Sequence, residues 1–270
     1  MVFTLCLIES FPQNDESLLT EEGRKMVDFH THILPGIDDG SQDVEMTKDM
    51  LLEEQKQGVG LIVATPHFYA HRMSMEGFLE RRTEAMAKTQ QICRSLEEDL
   101  GRAFPEILAG AEVYYFPGVG KAKDVTKLCI GDSRCLLLEL PFEQWGKDVL
   151  KDVRDLIFRQ KLCIILAHIE RYIGFQKDRS IWDEIMELPV HAQINAGSFL
   201  RKNGILRPDK KKRFCMNFLG EHPGTLLGSD CHNMTDRPPN VEAARKFIAG
   251  YFGDKALAYM DEVAEKILTI

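Results

Sequence analysis

Apolar segments of strand length alternate with amphipathic helical segments along almost the whole chain, and this alternation limits the fold more than any other feature. About seven segments have the composition of buried strands, from Met26–Phe29 to Thr225–Ser229. Helical segments separate them, including Met75–Leu100, in which apolar residues recur at helical spacing. Such alternation is typical of a largely parallel sheet covered by helices, and seven strands favour a barrel over a short open sheet. The sequence therefore predicts an α/β fold.

Composition and charge exclude several classes of protein. The net charge of −8 leaves no excess of Lys and Arg to neutralise nucleic-acid phosphates, so we expect no nucleic-acid binding. The seven cysteines show no paired spacing, which favours reduced thiols and a cytoplasmic location over a disulfide framework. No apolar run is long enough to cross a bilayer, and we expect no membrane insertion.

The domain prediction follows from where the first strand begins. Met26 opens that strand, and we expect residues 1–25 to form a disordered leader. The short apolar run Val2–Ile8 has neither the basic segment nor the cleavage site of a signal peptide. We find no repeat or linker after residue 25, so the sequence predicts one domain over residues 26–270. The oligomeric state is not predicted.

Metal-ligand residue types collect at or just past the C-terminal ends of the predicted strands. His30 and His32 are two residues apart and project to the same face of their strand. The complete set of candidates is His30, His32, Asp39, His67, Glu112, Glu139, His168, Asp230 and His232. In a (β/α) barrel these strand ends converge on one face, where unpaired buried carboxylates would be costly. The sequence therefore predicts a metal site.

The kinds of ligand indicate which ions this site would bind. Mixed imidazole and carboxylate ligands suit Mn, Fe or Zn better than Ca, and nine candidates exceed the needs of one ion. Two or three ions that share carboxylates can generate hydroxide at neutral pH and bind a phosphoryl group. Arg171 follows His168 closely and Arg237 follows His232, and guanidinium groups suit bidentate phosphate binding.

Two features near the candidate ligands allow more than one interpretation. Tyr114, Tyr115 and Phe116 follow Glu112, and they could either stack on a substrate ring or only cover the barrel rim. Cys231 and Arg237 have the C-x5-R spacing of thiol-dependent phosphatases. The five residues between them include no glycine and one acidic residue, and Cys231 lies between two candidate ligands, so we reject a cysteine nucleophile.

The motifs that carry these residues resemble, in order, those of the PHP (polymerase and histidinol phosphatase) superfamily. They are most similar to its bacterial protein-tyrosine phosphatases of the CpsB/YwqE type. The match covers Met26 to about Phe247 and comprises HTHILPGIDDGS, ATPHF, GAEVYY, LLLELPF, LAHIERY, QINAGSFL and LLGSDCHNMTDRPPN. The resemblance implies a single-domain, distorted (β/α)7 TIM-like barrel with a trinuclear, often Mn-dependent site.

The resemblance also implies how the ligands divide among three ions. His30, His32, Glu112 and Asp230 would hold the first ion, Glu112, Glu139 and His168 the second, and Asp39, His67 and His232 the third. The implied reaction is attack of metal-activated hydroxide on phosphotyrosine, in a bacterial tyrosine kinase that controls exopolysaccharide or capsule synthesis. Two alternatives stay open: a phosphatase for small molecules such as a sugar phosphate or histidinol phosphate, and a kinase-binding regulatory protein with residual activity.

Overall fold

Nine parallel strand segments form the wall of a barrel. The computed structural model of the chain describes residues 25–202 and 209–269. The segments are β1 (Met26–Thr31), β2 (Val59–Ala64), β3 (His67–Phe68), β4 (Glu106–Ala109), β5 (Glu112–Tyr114), β6 (Cys135–Glu139), β7 (Cys163–Leu166), β8 (Val190–Asn195) and β9 (Leu226–Gly228). They pair in the orders β1-β2-β4 and β3-β5-β6-β7-β8-β9.

These nine segments occupy seven positions around the barrel, because two strands are interrupted. The segments β2 and β3 are separated by Thr65 and Pro66, and Pro66 has no N–H to donate to a ladder. Backbone hydrogen bonds from Gly110 N to Ala64 O (2.8 Å) and from Glu112 N to Pro66 O (3.1 Å) continue the pairing across both interruptions. The two partial sheets are therefore one continuous wall.

The wall closes between β1 and the end of β9. Asp230 N donates to His30 O at 2.7 Å, and His32 N donates to Cys231 O at 3.0 Å. Gly228 permits this approach, since a Cβ there would lie 2.5 Å from the His30 Cβ. The predicted seven-stranded, single-domain barrel is confirmed.

Helices cover the outside of the barrel in the predicted alternation. They are α1 (Val44–Lys56), α2 (Met75–Leu100), α3 (Lys147–Arg154), α4 (Ser180–Met186), α5 (Ala196–Phe199), α6 (Lys210–Glu221), α7 (Val241–Phe252) and α8 (Asp254–Leu268). A π-helical turn over Asp155–Arg159 continues α3. Within the described part of the chain, no helix combines the length and apolar composition needed to cross a membrane.

Apolar side chains fill the barrel below the strand ends. Phe29, Leu137 and Ile165 belong to an interior cluster, and Ile267 of α8 packs against it. The interior is thus a packed core whose polar end lies only at the C-terminal face of the strands. The predicted leader, residues 1–25, lies outside the described residues except for Lys25.

Candidate metal centre

All nine predicted ligands lie together at the C-terminal face of the barrel. Eight of them form overlapping groups whose ligand atoms lie within 4.8 Å of one another. The groups are His30–His32–Asp230, His30–Glu112–His168, His67–Glu112–Glu139 and His32–His67–His232. The ninth, Asp39, lies at the edge, with its carboxylate 3.5 Å from His67 and 3.7 Å from His232.

Glu112 is the centre of the cluster. Its Oε2 lies 3.2 Å from His30 Nε2, 3.3 Å from His32 Nε2 and 2.9 Å from His67 Nδ1, and its Oε1 lies 2.8 Å from His168 Nε2. Burial alone would raise the pKa of Glu112, but the charge of His30 and the surrounding hydrogen bonds lower it well below its usual value. The buried side chain is therefore an ionised carboxylate between four imidazoles, as a bridging ligand would be.

Asp230 presents its two oxygens to different partners. Its Oδ1 lies 3.6 Å from His30 Nε2 and 3.4 Å from His32 Nε2, facing the cluster. Its Oδ2 accepts a hydrogen bond from Asn195 Nδ2 at 2.7 Å and contacts Arg237 Nη2 at 2.5 Å and Arg171 Nη1 at 3.6 Å. One oxygen is thus fixed by donors, and the other is directed to the position of a cation.

Hydrogen bonds to other residues orient His30 of β1 and His32, which follows the end of β1. His32 Nδ1 lies 2.7 Å from Asp38 Oδ2, and His30 Nδ1 lies 3.1 Å from Gln193 Oε1. Each contact engages one ring nitrogen and leaves Nε2 directed to the centre, where the two Nε2 atoms lie 3.1 Å apart. Histidine ligands in metal sites are commonly held this way. Neither Asp38 nor Gln193 is among the site residues predicted from the sequence. Metal-bound histidines commonly donate a hydrogen bond from their second ring nitrogen to an oxygen acceptor, and that rule is the signal that could have indicated an acceptor of this kind.

Unsatisfied polar atoms test whether the site fits cations. In the described structure, Glu112 Oε2, His67 Nδ1 and His232 Nε2 are buried and make no hydrogen bond of acceptable geometry, although Glu112 Oε2 and His67 Nδ1 lie only 2.9 Å apart. Such atoms are rare, because a buried unpaired polar group costs about 1–3 kcal/mol. A divalent ion bound to them would remove this cost, and the mixed nitrogen and oxygen donors suit transition metals.

The histidine pKa values agree with a site built for positive charge. Burial lowers the pKa of His168, but hydrogen bonds to Glu112 and Glu139 raise it to about 9. Burial, together with the charges of His32 and Arg237, lowers the pKa of His232 to about 4. In the metal-free protein, protons on His168 therefore take the place of cation charge, whereas His232 stays a neutral nitrogen donor.

Two of the candidate ligands have a strained backbone. His168 has φ of 31° and Asp230 has φ of 55°, a left-handed region that residues other than glycine rarely adopt. Each such residue costs about 1–3 kcal/mol and is typical of functional sites. Each lies two residues past the end of a strand, β7 for His168 and β9 for Asp230, where the chain leaves the barrel wall.

The two predicted phosphate-binding arginines lie between the cluster and solvent. Arg171 is 37% exposed and Arg237 is 40% exposed, and both contact Asp230 Oδ2. The Arg171 guanidinium also lies over the Phe142 ring, with Cζ 4.8 Å from its centroid. The structure thus directs both side chains to the open side of the cluster.

Cys231 has the properties of a structural thiol. It is fully buried, and its Sγ lies 3.8 Å from Glu54 Oε1 of α1, on the side away from the candidate ligands. Burial, followed by the charges of Glu54 and Asp28, raises the thiol pKa well above its usual value. Because the thiolate is the nucleophilic form, this environment argues against a cysteine nucleophile.

The aromatic residues after Glu112 divide between the two interpretations. Tyr115 is buried and donates from its hydroxyl to Asp152 Oδ2 at 3.0 Å, and Phe116 packs against the core. Both have structural roles. Tyr114 is only half-buried and faces Tyr69, with ring centroids 5.6 Å apart, so it alone is placed to meet a substrate ring.

Comparison with known proteins identifies several relatives. The family model for capsular polysaccharide synthesis proteins CpsB/CapC matches residues 26–268. The tyrosine-protein phosphatase CpsB of Streptococcus agalactiae is 28% identical over 248 residues, which cover 90% of this chain and 98% of that protein. The tyrosine-protein phosphatase YwqE of Bacillus subtilis is 27% identical over 246 residues, 90% of this chain and 91% of that protein.

Solved structures are similar over the same length. The structure reported for YwqE from Bacillus subtilis and CpsB from Streptococcus pneumoniae, metal-dependent tyrosine phosphatases, matches with a TM-score of 0.73 and 26% identity. The match covers 90% of this chain and 94% of that one. The phosphotriesterase homology protein from Escherichia coli matches with a TM-score of 0.50 at 12% identity, covering 91% and 98%, and shows the barrel fold alone.

Proposed function

The chain belongs to the CpsB/CapC family of capsular polysaccharide synthesis proteins, and on this premise we propose that it is a metal-dependent protein-tyrosine phosphatase. Its substrate in this proposal is a tyrosine-phosphorylated protein, namely a bacterial tyrosine kinase that governs exopolysaccharide or capsule synthesis. Two relatives named tyrosine-protein phosphatase align with 90% of the chain, which supports the assignment.

The observation that carries the proposal is a cation site with two arginines at its open side. Glu112 lies buried among four imidazoles, and Asp230 connects the cluster to Arg171 and Arg237. Hydrolysis of a phosphomonoester needs charge compensation on the phosphoryl oxygens, and this arrangement supplies it from two sides. A thiol mechanism lacks its nucleophile, because Cys231 is buried with a raised pKa.

We assign the ligands to two or three divalent ions, with Mn as the first choice and Fe or Zn as alternatives. In this assignment His30, His32, Glu112 and Asp230 would hold one ion, Glu112, Glu139 and His168 would hold another, and Asp39, His67 and His232 would hold the third. When bound, such ions supply Lewis acidity and a water that deprotonates near neutral pH.

The side chains around the ions bind and orient the substrate. Arg171 and Arg237 each use one guanidinium nitrogen on Asp230 and retain further donors for phosphate oxygens. The planar fork favours two parallel hydrogen bonds to one phosphate, which fixes its orientation. Because donors preorganised for the transition state need no rearrangement during reaction, they lower the barrier more than flexible donors would.

We further propose a cytoplasmic location, where a kinase partner would be phosphorylated. The six cysteines in the described part of the chain are all free thiols. Neighbouring Cys135 and Cys163 lie on adjacent strands, paired in register, and are unbonded. Free thiols are typical of reducing compartments.

A substrate panel tests this function. Protein stripped of metal and then reconstituted with Mn, Fe or Zn is assayed on phosphotyrosine peptides, phosphoserine peptides, a sugar phosphate and histidinol phosphate. We expect the highest kcat/KM on phosphotyrosine peptides and no activity after chelation. Full activity in verified metal-free protein would refute metal dependence.

The same panel separates the proposal from its two alternatives. A preference for the sugar phosphate or histidinol phosphate would assign a small-molecule phosphatase. Tight binding of a phosphorylated kinase without turnover, at full metal content, would assign a regulatory protein. Turnover of the phosphorylated kinase at a rate similar to that of the peptides would support the proposed function.

A further inference from the structure

A cavity of about 690 Å³ opens beside the metal centre and extends from the candidate ligands Asp39 and His67 to residues that have no part in the chemistry above. Asp39, His67, Tyr69, Arg72 and Phe78 are among the residues that line it. Its volume lies within the range of about 300–1,000 Å³ that ligand pockets occupy. A substrate bound at the metals would therefore have this cavity directly beside it.

Arg72 brings an uncompensated positive charge to the cavity. Its side chain is exposed, and its Cζ lies 4.5 Å from the centroid of the Tyr69 ring. The Tyr69 ring in turn lies 5.0 Å from the His67 ring. Within residues 25–202 and 209–269, no carboxylate pairs with the Arg72 guanidinium, so an aromatic face holds it in place and its donors stay available.

The other charged groups of the cavity are already engaged. Arg81 Nη2 donates to the carbonyl oxygens of Gly36 (3.0 Å) and Ile37 (3.1 Å), which leaves its charge present but its donors partly used. Asp38 is paired with His32 at 2.7 Å, and Asp39 is a candidate metal ligand. Among the described lining residues, Arg72 is therefore the basic side chain whose donors are not engaged, in a chain whose overall charge is −8.

We propose that Arg72 binds an acidic side chain next to the phosphotyrosine of the substrate. This inference rests on the proposed function, because it takes the phosphate to be at the metals. Tyrosine carries its phosphate at the far end of a rigid ring. Phosphate at the metals therefore places the substrate backbone and its neighbouring side chains at the cavity, where Arg72 lies.

The contact should act on substrate binding and leave the chemical step unchanged. A flanking carboxylate is remote from the phosphorus, so its interaction energy with Arg72 is the same in the ground state and the transition state. Such uniform binding changes KM and leaves kcat unchanged. Because the pair is exposed, we expect an effect of about fivefold, which falls as added salt screens the charges.

Matched peptides and variants test this inference on the full-length, metal-reconstituted protein. Two phosphotyrosine peptides differ only at the flanking positions, with Glu in one and Gln in the other. For wild type we expect a kcat/KM ratio (Glu peptide to Gln peptide) of about 5, arising in KM. Arg72→Ala should bring the ratio to about 1, and Arg72→Glu should bring it below 1.

Arg102→Ala is the matched control, because Arg102 is exposed and follows the C-terminal end of α2, at the opposite end of the barrel. It should keep the wild-type ratio. A wild-type ratio near 1, or an unchanged ratio in Arg72→Ala, would overturn the Arg72 inference while leaving the phosphatase assignment intact. Failure of wild type to hydrolyse either peptide would overturn the proposed function, and the inference with it.

Discussion

Replacing Arg237 by Ala should lower kcat/KM on a phosphotyrosine peptide by about 30- to 1,000-fold. Arg237 Nη2 contacts Asp230 at 2.5 Å while the side chain is 40% exposed, so Asp230 fixes one end of the guanidinium and its other donors stay accessible to a substrate. Loss of one preorganised donor to a transition-state oxyanion costs about 2–4 kcal/mol, and each 1.36 kcal/mol is about tenfold in rate. Arg237→Lys should recover little, because a point charge lacks the planar fork.

Bound metal, measured in the same preparations, distinguishes phosphate binding from a structural role. In Arg237→Ala, Asp230 Oδ2 keeps its hydrogen bond from Asn195 at 2.7 Å, so the metal content should stay at the wild-type value. The matched control is Arg154→Ala, which removes only a surface pair with Glu184 and should keep full activity. Activity of Arg237→Ala within a few-fold of wild type would refute the assignment, and loss of metal would make the role structural.

Glu112→Gln should lose at least one equivalent of bound metal, measured by elemental analysis, because a neutral amide cannot balance the charge of the cations. An unchanged metal content would contradict the bridging position of Glu112. Cys231→Ser should keep most of its kcat/KM, and an inactive variant with full metal content would reverse the mechanism. Burial and the charge of Asp28 raise the pKa of Glu54 in the folded protein above its unfolded value of 4.5. Between these two pKa values the folded state binds more protons than the unfolded state, so the free energy of unfolding should fall as the pH rises from 4.5 to the folded pKa. Glu54→Gln should flatten that fall by up to about 1.4 kcal/mol per pH unit in denaturant unfolding, and identical slopes would contradict the shift.

The barrel could be predicted because most strands are apolar and the longer helices are amphipathic, each at its own period. Two features of the barrel wall could not be predicted from the sequence. The pairing register of β1 with β2 shifts between Asp28 and Thr31, as at a β-bulge, and Phe29 and His30 both serve the barrel interior although they are neighbours in sequence. Bulges depend on the partner strand, and they re-aim side chains near functional sites.

The candidate ligands could be predicted because His and carboxylate residues are unusual at the ends of apolar strands. Their orienting partners carry a weaker signal. Gln193 and Asn195 are two residues apart on β8, which supplies no predicted ligand, and they bond to His30 and Asp230. Neutral amides are common in strands of every function. Only the spatial neighbourhood shows that β8 supplies hydrogen bonds to the cluster instead of ligands.

Asp230 connects metal binding to substrate binding through its two oxygens. In the structure, Arg171 and Arg237 both contact Oδ2, and in the proposed function a phosphate bound to their remaining donors would draw both guanidinium groups away from it. A buried carboxylate oxygen that lost both partners would be left unsatisfied, at a cost of about 1–3 kcal/mol or more. Asn195 Nδ2 also donates to Oδ2, at 2.7 Å, and this hydrogen bond would remain to offset most of that cost. In the proposed function, the short neutral amide would thereby let the arginines exchange partners while Oδ1 stays directed to the position of the metal.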